Sequence, residues 1–144
     1  MSTSPNYQDY RNVPELVKLF SIFGDADCSW LASVRPDNRA HLTPVWHVFF
    51  EGRFYIVISS RSVKSQNIRK HGYVSLALPD PNNVLIVEGV AAPALDMQAS
   101  LRPLFLSKYD WDIAQSQEYD LIIEITPVKV LAWGEHGEGR WRLA

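Results

Sequence analysis

With a single cysteine, Cys28, among 144 residues, the chain can form no internal disulfide, which excludes the secreted, disulfide-stapled class and points to a reducing compartment. Long apolar runs are absent as well. No stretch approaches the length a membrane-spanning helix needs, and Met1 to Arg11 is a polar, Ser/Asn/Tyr-rich tail without the apolar centre of a secretory signal. Excess charge of one sign is also missing: 14 basic against 16 acidic residues give a formal charge of −2, too little to grip nucleic acid or an anionic bilayer without a local patch. The expectation is one cytoplasmic domain over residues 1–144, residues 1–11 forming its tail, with no membrane and no nucleic acid among its partners.

Catalytic signatures are sparse too. The Gly-rich cradle of a P-loop is missing, Ser59 and Ser60 sit in no G-x-S-x-G elbow, and no carboxylate pair announces glycoside chemistry. His41, His47, His71, His136 and Cys28 fall at no zinc-type spacing, so no metal is assigned. His41 and His47 lie an even number of residues apart in one β-rich stretch, a spacing that would place them on one face.

What is present is mostly β pattern. Val13-Pro14-Glu15 opens a short amphipathic helix with Leu16, Val17, Leu19, Phe20 and Phe23 on its apolar side, ending at Gly24. Strands follow at Ser29–Val34, His41–Phe50 and Phe54–Ser59, joined by turns at Pro36-Asp37-Asn38 and Glu51-Gly52-Arg53. A short polar helix between Ser60 and His71 stops at Gly72, and further strands read at Tyr73–Leu78 and Val84–Ala92. Met97–Tyr109 reads as a helix capped by Asp96 and kinked or split by Pro103; Tyr119–Thr126 and Val128–Trp133 read as two strands bent apart at Pro127. Six or more strands, linked mostly by short turns, imply a mainly β fold: an antiparallel barrel decorated by short helices. Pro44 removes a ladder donor inside a β segment, so it marks an edge or bulge where Thr43, Val45 and Trp46 have backbone groups free to read a ligand.

The segment best equipped to bind runs from Ile58 to Asn67. There the hydroxyls of Ser59, Ser60 and Ser65 and the charges of Arg61 and Lys64 meet the free N–H groups of a helix start, a combination that suits one phosphate monoester. A solvated basic helix accounts for the same residues equally well. Five Trp and six Tyr could offer flat surfaces to a planar ligand, although core or interface filling explains most of them. An RNA-binding module, suggested by the basic 61–71 stretch, lacks the paired aromatic signature of such sheets.

Taken in order, Arg35-Pro36-Asp37-Asn38-Arg39-Ala40-His41-Leu42-Thr43-Pro44-Val45-Trp46, then Lys64 to Leu76, then Val87-Glu88-Gly89-Val90-Ala91 resemble the hallmark stretches of the pyridoxamine 5′-phosphate oxidase-like, FMN-binding split-barrel family. The resemblance covers about Trp30 to Ala92 and is looser from Trp133 to Arg142, so it does not by itself imply vitamin B6 oxidation. It implies a six-stranded antiparallel split β-barrel that forms a homodimer, with FMN sites in the subunit interface and a flavin-mediated oxidoreduction of a small-molecule substrate. By position it implies Arg61 and Lys64, with Ser59, Ser60 and Ser65, at the phosphate, and Asn67 beside them. Pro44, Val45 and Trp46 would line the isoalloxazine edge through their backbone, and Asn83, Trp133 and Arg140 would reach over from the partner chain. Relatives include flavin reductases and deazaflavin-coenzyme enzymes, so a deazaflavin-dependent reductase, or a flavin-binding or sensing protein without turnover, stands as the alternative. No residue is assigned as a general acid or base.

Overall fold

Period-two alternation builds most of the molecule, whose computed structural model describes residues 7–143; residues 1–6 of the expected tail lie outside the described residues. In β2 (Ser29–Val34) the odd positions Ser29, Leu31 and Ser33 are buried while Trp30, Ala32 and Val34 face outward. A turn with Asn38 at φ 70 leads to β3 (Ala40–Val45), which pairs with β2 antiparallel from Val34↔Ala40 to Ser29↔Val45. Further on come β4 (Val48–Phe50), β5 (Arg53–Ile58), β6 (Tyr73–Ala77), β7 (Asn83–Pro93), β8 (Leu121–Gly134) and β9 (Gly139–Leu143), with a two-residue β1 (Tyr7–Gln8) at the start. The β4–β5 connection has Glu51 at φ 49 and Gly52 at φ 84, the two positive angles that a primed hairpin turn demands.

The strands pair in the order β1-β9-β8-β7-β6-β2-β3, with β4 on β5 and β5 on β8, so the curved sheet stays open and β3 is an edge. Every pairing except the short parallel β1–β9 contact is antiparallel. This is a split barrel. Its frame is β2, β3, β5, β6, β7 and β8. Pro44 sits in the edge strand, where its missing N–H breaks no second ladder.

Among the described residues, three α-helices cover the frame. Helix α1 (Pro14–Asp25) buries Leu16, Leu19, Phe20 and Phe23 against Phe54, Ile56, Ile123 and Ile125. Helix α2 (Val63–Lys70) starts at Ser62, whose Oγ accepts the Ser65 N–H at 3.2 Å. Helix α3 (Gln98–Tyr109) buries Leu101 and Phe105 in a second cluster with Val48, Tyr55 and Ile122.

Four readings of the sequence are corrected. The expected strand His41–Phe50 breaks at Trp46-His47, because groups from α3 rather than a neighbouring strand satisfy the His47 backbone. Asp96 does not cap α3; it lies in a short 3-10 turn, and Met97 takes the cap position without a side-chain bond. Pro103 does not split α3: Pro103 and Ala99, four residues before it, are both exposed, so water can serve the carbonyl that a proline leaves unpaired. Nor does Pro127 end a strand. The chain runs through as β8, and the ladder shifts register there, Glu88 pairing with Lys129 and Gly89 with Pro127, which leaves Val128 as the extra residue of a bulge. A side chain at Gly89 would meet the Thr126 carbonyl oxygen at 2.6 Å, so the bulge needs glycine opposite it.

Candidate functional site

A cleft of about 680 Å³, within the range of about 300–1,000 Å³ usual for small-molecule sites, opens where the ends of β3 and β5 meet the start of α2. Pro44, Val45 and Trp46 line one side, Val57, Ile58 and Lys64 another, and Trp111 and Tyr119 close it, with Cys28 and Thr43 also on its surface. Lys64 is the one charged side chain among the described lining residues. A second cleft of about 560 Å³, between α1, β4 and α3, is walled by Val17, Phe20, Phe49 and Leu104 and contains none of the residues expected to bind.

The loop between β5 and α2 is held by short-range bonds. The Ser59 carbonyl accepts the Ser62 hydroxyl at 2.7 Å and the Ser62 N–H at 3.0 Å, while Ser59 Oγ accepts the Arg61 N–H at 3.2 Å. Arg61 projects from this loop, exposed. Ser65 is buried, its hydroxyl without a protein partner, one residue from Lys64 at the first turn of α2. An anion near that turn would find the positive end of a helix, an ammonium and a guanidinium.

Ser60 is differently engaged. Its N–H and hydroxyl both donate to the Asp120 carboxylate, at 2.8 and 2.7 Å, so a side chain of this protein already occupies the donors expected for a phosphate. Those two bonds, with the Arg61 charge nearby, hold the Asp120 carboxyl below its ordinary range. Asn67 also serves another purpose. It is fully buried and its Nδ2 donates to Ser33 Oγ at 3.0 Å, tying α2 to β2 beneath the cleft rather than lining it.

Asn83, Trp133 and Arg140 do not border the cleft of their own chain. The register leads from Pro44 to Trp30, Ala77, Ile86, Leu131 and Arg140, five ladder steps across the sheet. Asn83 there bridges loops, donating to Asp80 at 3.2 Å and accepting the Glu135 N–H at 2.8 Å. Trp133 and Arg140 are exposed.

The break at Trp46-His47 hides residues that sequence reasoning missed. The His47 imidazole is buried: Nε2–H donates to the Phe23 carbonyl at 2.7 Å, which leaves Nδ1 to accept the Ser29 hydroxyl at 2.9 Å. Burial, reinforced by the Lys108 charge, pulls its pKa down to about 4, so the ring is neutral. Its backbone N–H donates to Tyr109 Oη at 3.1 Å, and its carbonyl accepts Lys108 Nζ at 2.7 Å. His41 does not share its setting. It stays half-exposed on β3, and burial, then the charges of Arg35 and Lys64, lower its pKa. No local signal could have announced Lys108 or Tyr109, which lie about 60 residues away in sequence, at separations of 61 and 62.

Among solved structures, General Stress Protein 26 from Bacillus anthracis shares 18% identity and a TM-score of 0.69, covering 88% of this chain and 98% of its own. An F420 reductase shares 19% identity at TM-score 0.63, over 76% of this chain and 94% of that one. A heme binding protein from Mycobacterium smegmatis shares 16% at TM-score 0.71, over 87% of this chain and 56% of that one. At such identities these likenesses speak for the fold alone. No curated protein matches the sequence. The sequence family described as pyridoxamine 5′-phosphate oxidase matches residues 17–134, which span the sheet frame, the cleft and the β5–α2 loop, and the chain belongs to that family.

Proposed function

We propose that the chain binds FMN in the 680 Å³ cleft and acts as a flavin-dependent oxidoreductase on a small-molecule substrate, as a cytoplasmic homodimer. The observation that carries this reading is the pairing of one charged side chain, Lys64, with a largely apolar and aromatic lining: one anionic end and one flat ring are what such a cleft accepts. The residues fit the group with two exceptions, Ser60 and Asn67. Lys64, Arg61 and the unpartnered Ser65 hydroxyl would hold the phosphate, while Ser60 is committed to Asp120. Pro44, Val45 and Trp46 would orient the ring through the backbone of the edge strand. When bound, the flavin supplies hydride or electron transfer, and the protein supplies orientation and exclusion of water.

The dimer is supported by the outer face of the sheet. Leu42, Pro44, Trp30, Ile86, Leu131 and Trp133 share that face by alternation, and Leu42, Trp30 and Trp133 are 62%, 38% and 47% exposed. An apolar band of this kind, bordered on the same face by Glu88, Lys129 and Arg140, marks a contact surface. In a two-fold pair, the Asn83, Trp133 and Arg140 end of each sheet would complete the partner's cleft. A second reading, a deazaflavin coenzyme with a longer acidic tail, draws support from a second positive charge, Arg35, which acts on His41 together with Lys64.

The test is a titration with FMN and with riboflavin, read by flavin fluorescence, together with light scattering on dilution. Because bonds to charged groups contribute about 1.5–3 kcal/mol each, FMN is expected to bind at least about tenfold more tightly than riboflavin. Lys64→Ala should erase most of that gap without lowering thermal stability. Equal affinities for the two flavins, or full-affinity binding to a monomer, would defeat the reading.

A further inference from the structure

We infer that Trp46 is a stacking platform for a substrate with a planar ring, fixed in place by Tyr109 before the substrate arrives; this rests on the proposed placement of a flavin phosphate at Lys64. Trp46 lines the cleft, yet 51% of it is exposed. One of its faces is already covered, because Tyr109 lies parallel to it, with ring centroids 4.4 Å apart and 2° between the planes. Tyr109 is not part of the cleft surface, so it backs the indole from behind and leaves the cleft side free. Trp111 stands at 72° to Trp46 and closes a flank.

The backing is anchored in turn. Tyr109 Oη accepts the His47 N–H at 3.1 Å and donates to the Asp27 carbonyl at 2.8 Å, while Lys108 Nζ donates to the His47 carbonyl at 2.7 Å and to that of Gly24 at 2.8 Å. An indole held this way loses little rotamer freedom when a ring settles on it. The lining then decides the class of substrate. With Lys64 engaged by the phosphate, the described lining offers Trp46, Trp111, Tyr119, Pro44 and Val45 to the second ligand. A flat ring gains stacking on the open indole face, which a saturated ring of the same size does not.

The probe is naphthol, compared with its saturated counterpart decahydronaphthol, titrated calorimetrically into the full-length protein with saturating FMN and again without it. With FMN bound, naphthol is expected to bind about fivefold to tenfold more tightly than the saturated alcohol. Trp46→Leu should abolish that preference, Trp46→Phe should restore part of it, and Tyr109→Leu should weaken it more than Tyr109→Phe, which keeps the backing ring. Equal binding of the two alcohols, or a preference that survives Trp46→Leu, overturns the platform. Naphthol binding that FMN abolishes overturns it as well, since the flavin itself would then occupy Trp46. Should FMN fail to bind, the proposed function falls, while a naphthol preference lost in Trp46→Leu still upholds the platform.

Discussion

The two walls of the cleft are built on opposite plans. The α2 wall takes its shape from bonds between residues two or three apart, from Ser59 to Arg61, Ser59 to Ser62 and Ser62 to Ser65, with Ser60 to Asp120 and Asn67 to Ser33 as its long-range ties. The Trp46 wall is held by contacts across the chain, His47 to Ser29 at a separation of 18 and to Tyr109 at 62. The turn and helix start of the first wall are set by its own few residues before Asn67 and Ser60 dock them, but the second exists only once α1, β2 and α3 have docked. Ligand charge is therefore read by a locally specified element and ligand shape by a globally specified one. Changes in the Trp46 wall should register as lost stability, and changes in the α2 wall as lost binding.

The largest effect is expected at His47. Replacing it with leucine leaves the fully buried Ser29 hydroxyl without its acceptor and removes the bond to Phe23, a cost of about 2–4 kcal/mol. The parent protein should also lose stability on acidification. Because the folded-state pKa of His47 is lowered to about 4 from 6.5, the unfolded chain binds more protons between those values. Stability is therefore complete above 6.5 and falls as pH drops towards 4, by an amount on the order of 3 kcal/mol. Urea midpoints measured across that window for parent and His47→Leu should converge at the acid end. A gap that stays constant with pH would mean that His47 is not the buried neutral switch, and the two walls would differ less than their contacts indicate.

The same division explains what was legible in the sequence. The helix start at Ser62 to Lys64 and the turns at Asn38 and Gly52 carry their instructions in adjacent residues, so the α2 wall and the hairpins could be read directly. That Pro44 lies at an edge or a bulge could be read for the same reason, since proline states which ladder bond is absent, and the pairing decides for the edge. Trp46-His47 could not. Its apolar, β-branched surroundings favour a continuous strand, and only the distant hydroxyl of Tyr109 and ammonium of Lys108 make breaking the ladder favourable. Asp120 escaped notice because an isolated aspartate after a tyrosine carries no pattern, and its partner Ser60 lies 60 residues earlier.

An intermediate effect is expected at Ser62. Ser62→Ala removes the side-chain cap of α2, whose usual contribution is about 1 kcal/mol, and leaves the Ser65 N–H to water. Because the loss is local, amide exchange should accelerate in the first turn of α2 while residues of β7 and β8 stay protected. FMN affinity should fall by a few-fold, since Lys64 and Ser65 share that turn. Uniform loss of protection through the sheet would show that the α2 wall is coupled to the rest of the fold and would remove the contrast.

The smallest effect, and the sharpest test of the electrostatics, belongs to Asp120→Asn. In the parent, the carboxylate accepts both donors of Ser60 and lies within reach of the Arg61 charge, so it offsets part of the positive potential that a phosphate would meet at the α2 turn. Asparagine can still accept the Ser60 N–H through its carbonyl oxygen, and the loop should keep its shape. What changes is one negative charge. FMN should then bind about twofold to fivefold more tightly, the scale on which exposed charges interact in water. Riboflavin, which carries no phosphate, should show no gain. Because an interaction between exposed charges is screened, the advantage should shrink as salt is raised towards 1 M, where the screening length falls to about 3 Å. Tighter binding of both flavins at all salt concentrations would place the effect in loop geometry instead. Weaker FMN binding would make Asp120 a brace of the anion loop, and the α2 wall would then depend on distant residues as the Trp46 wall does.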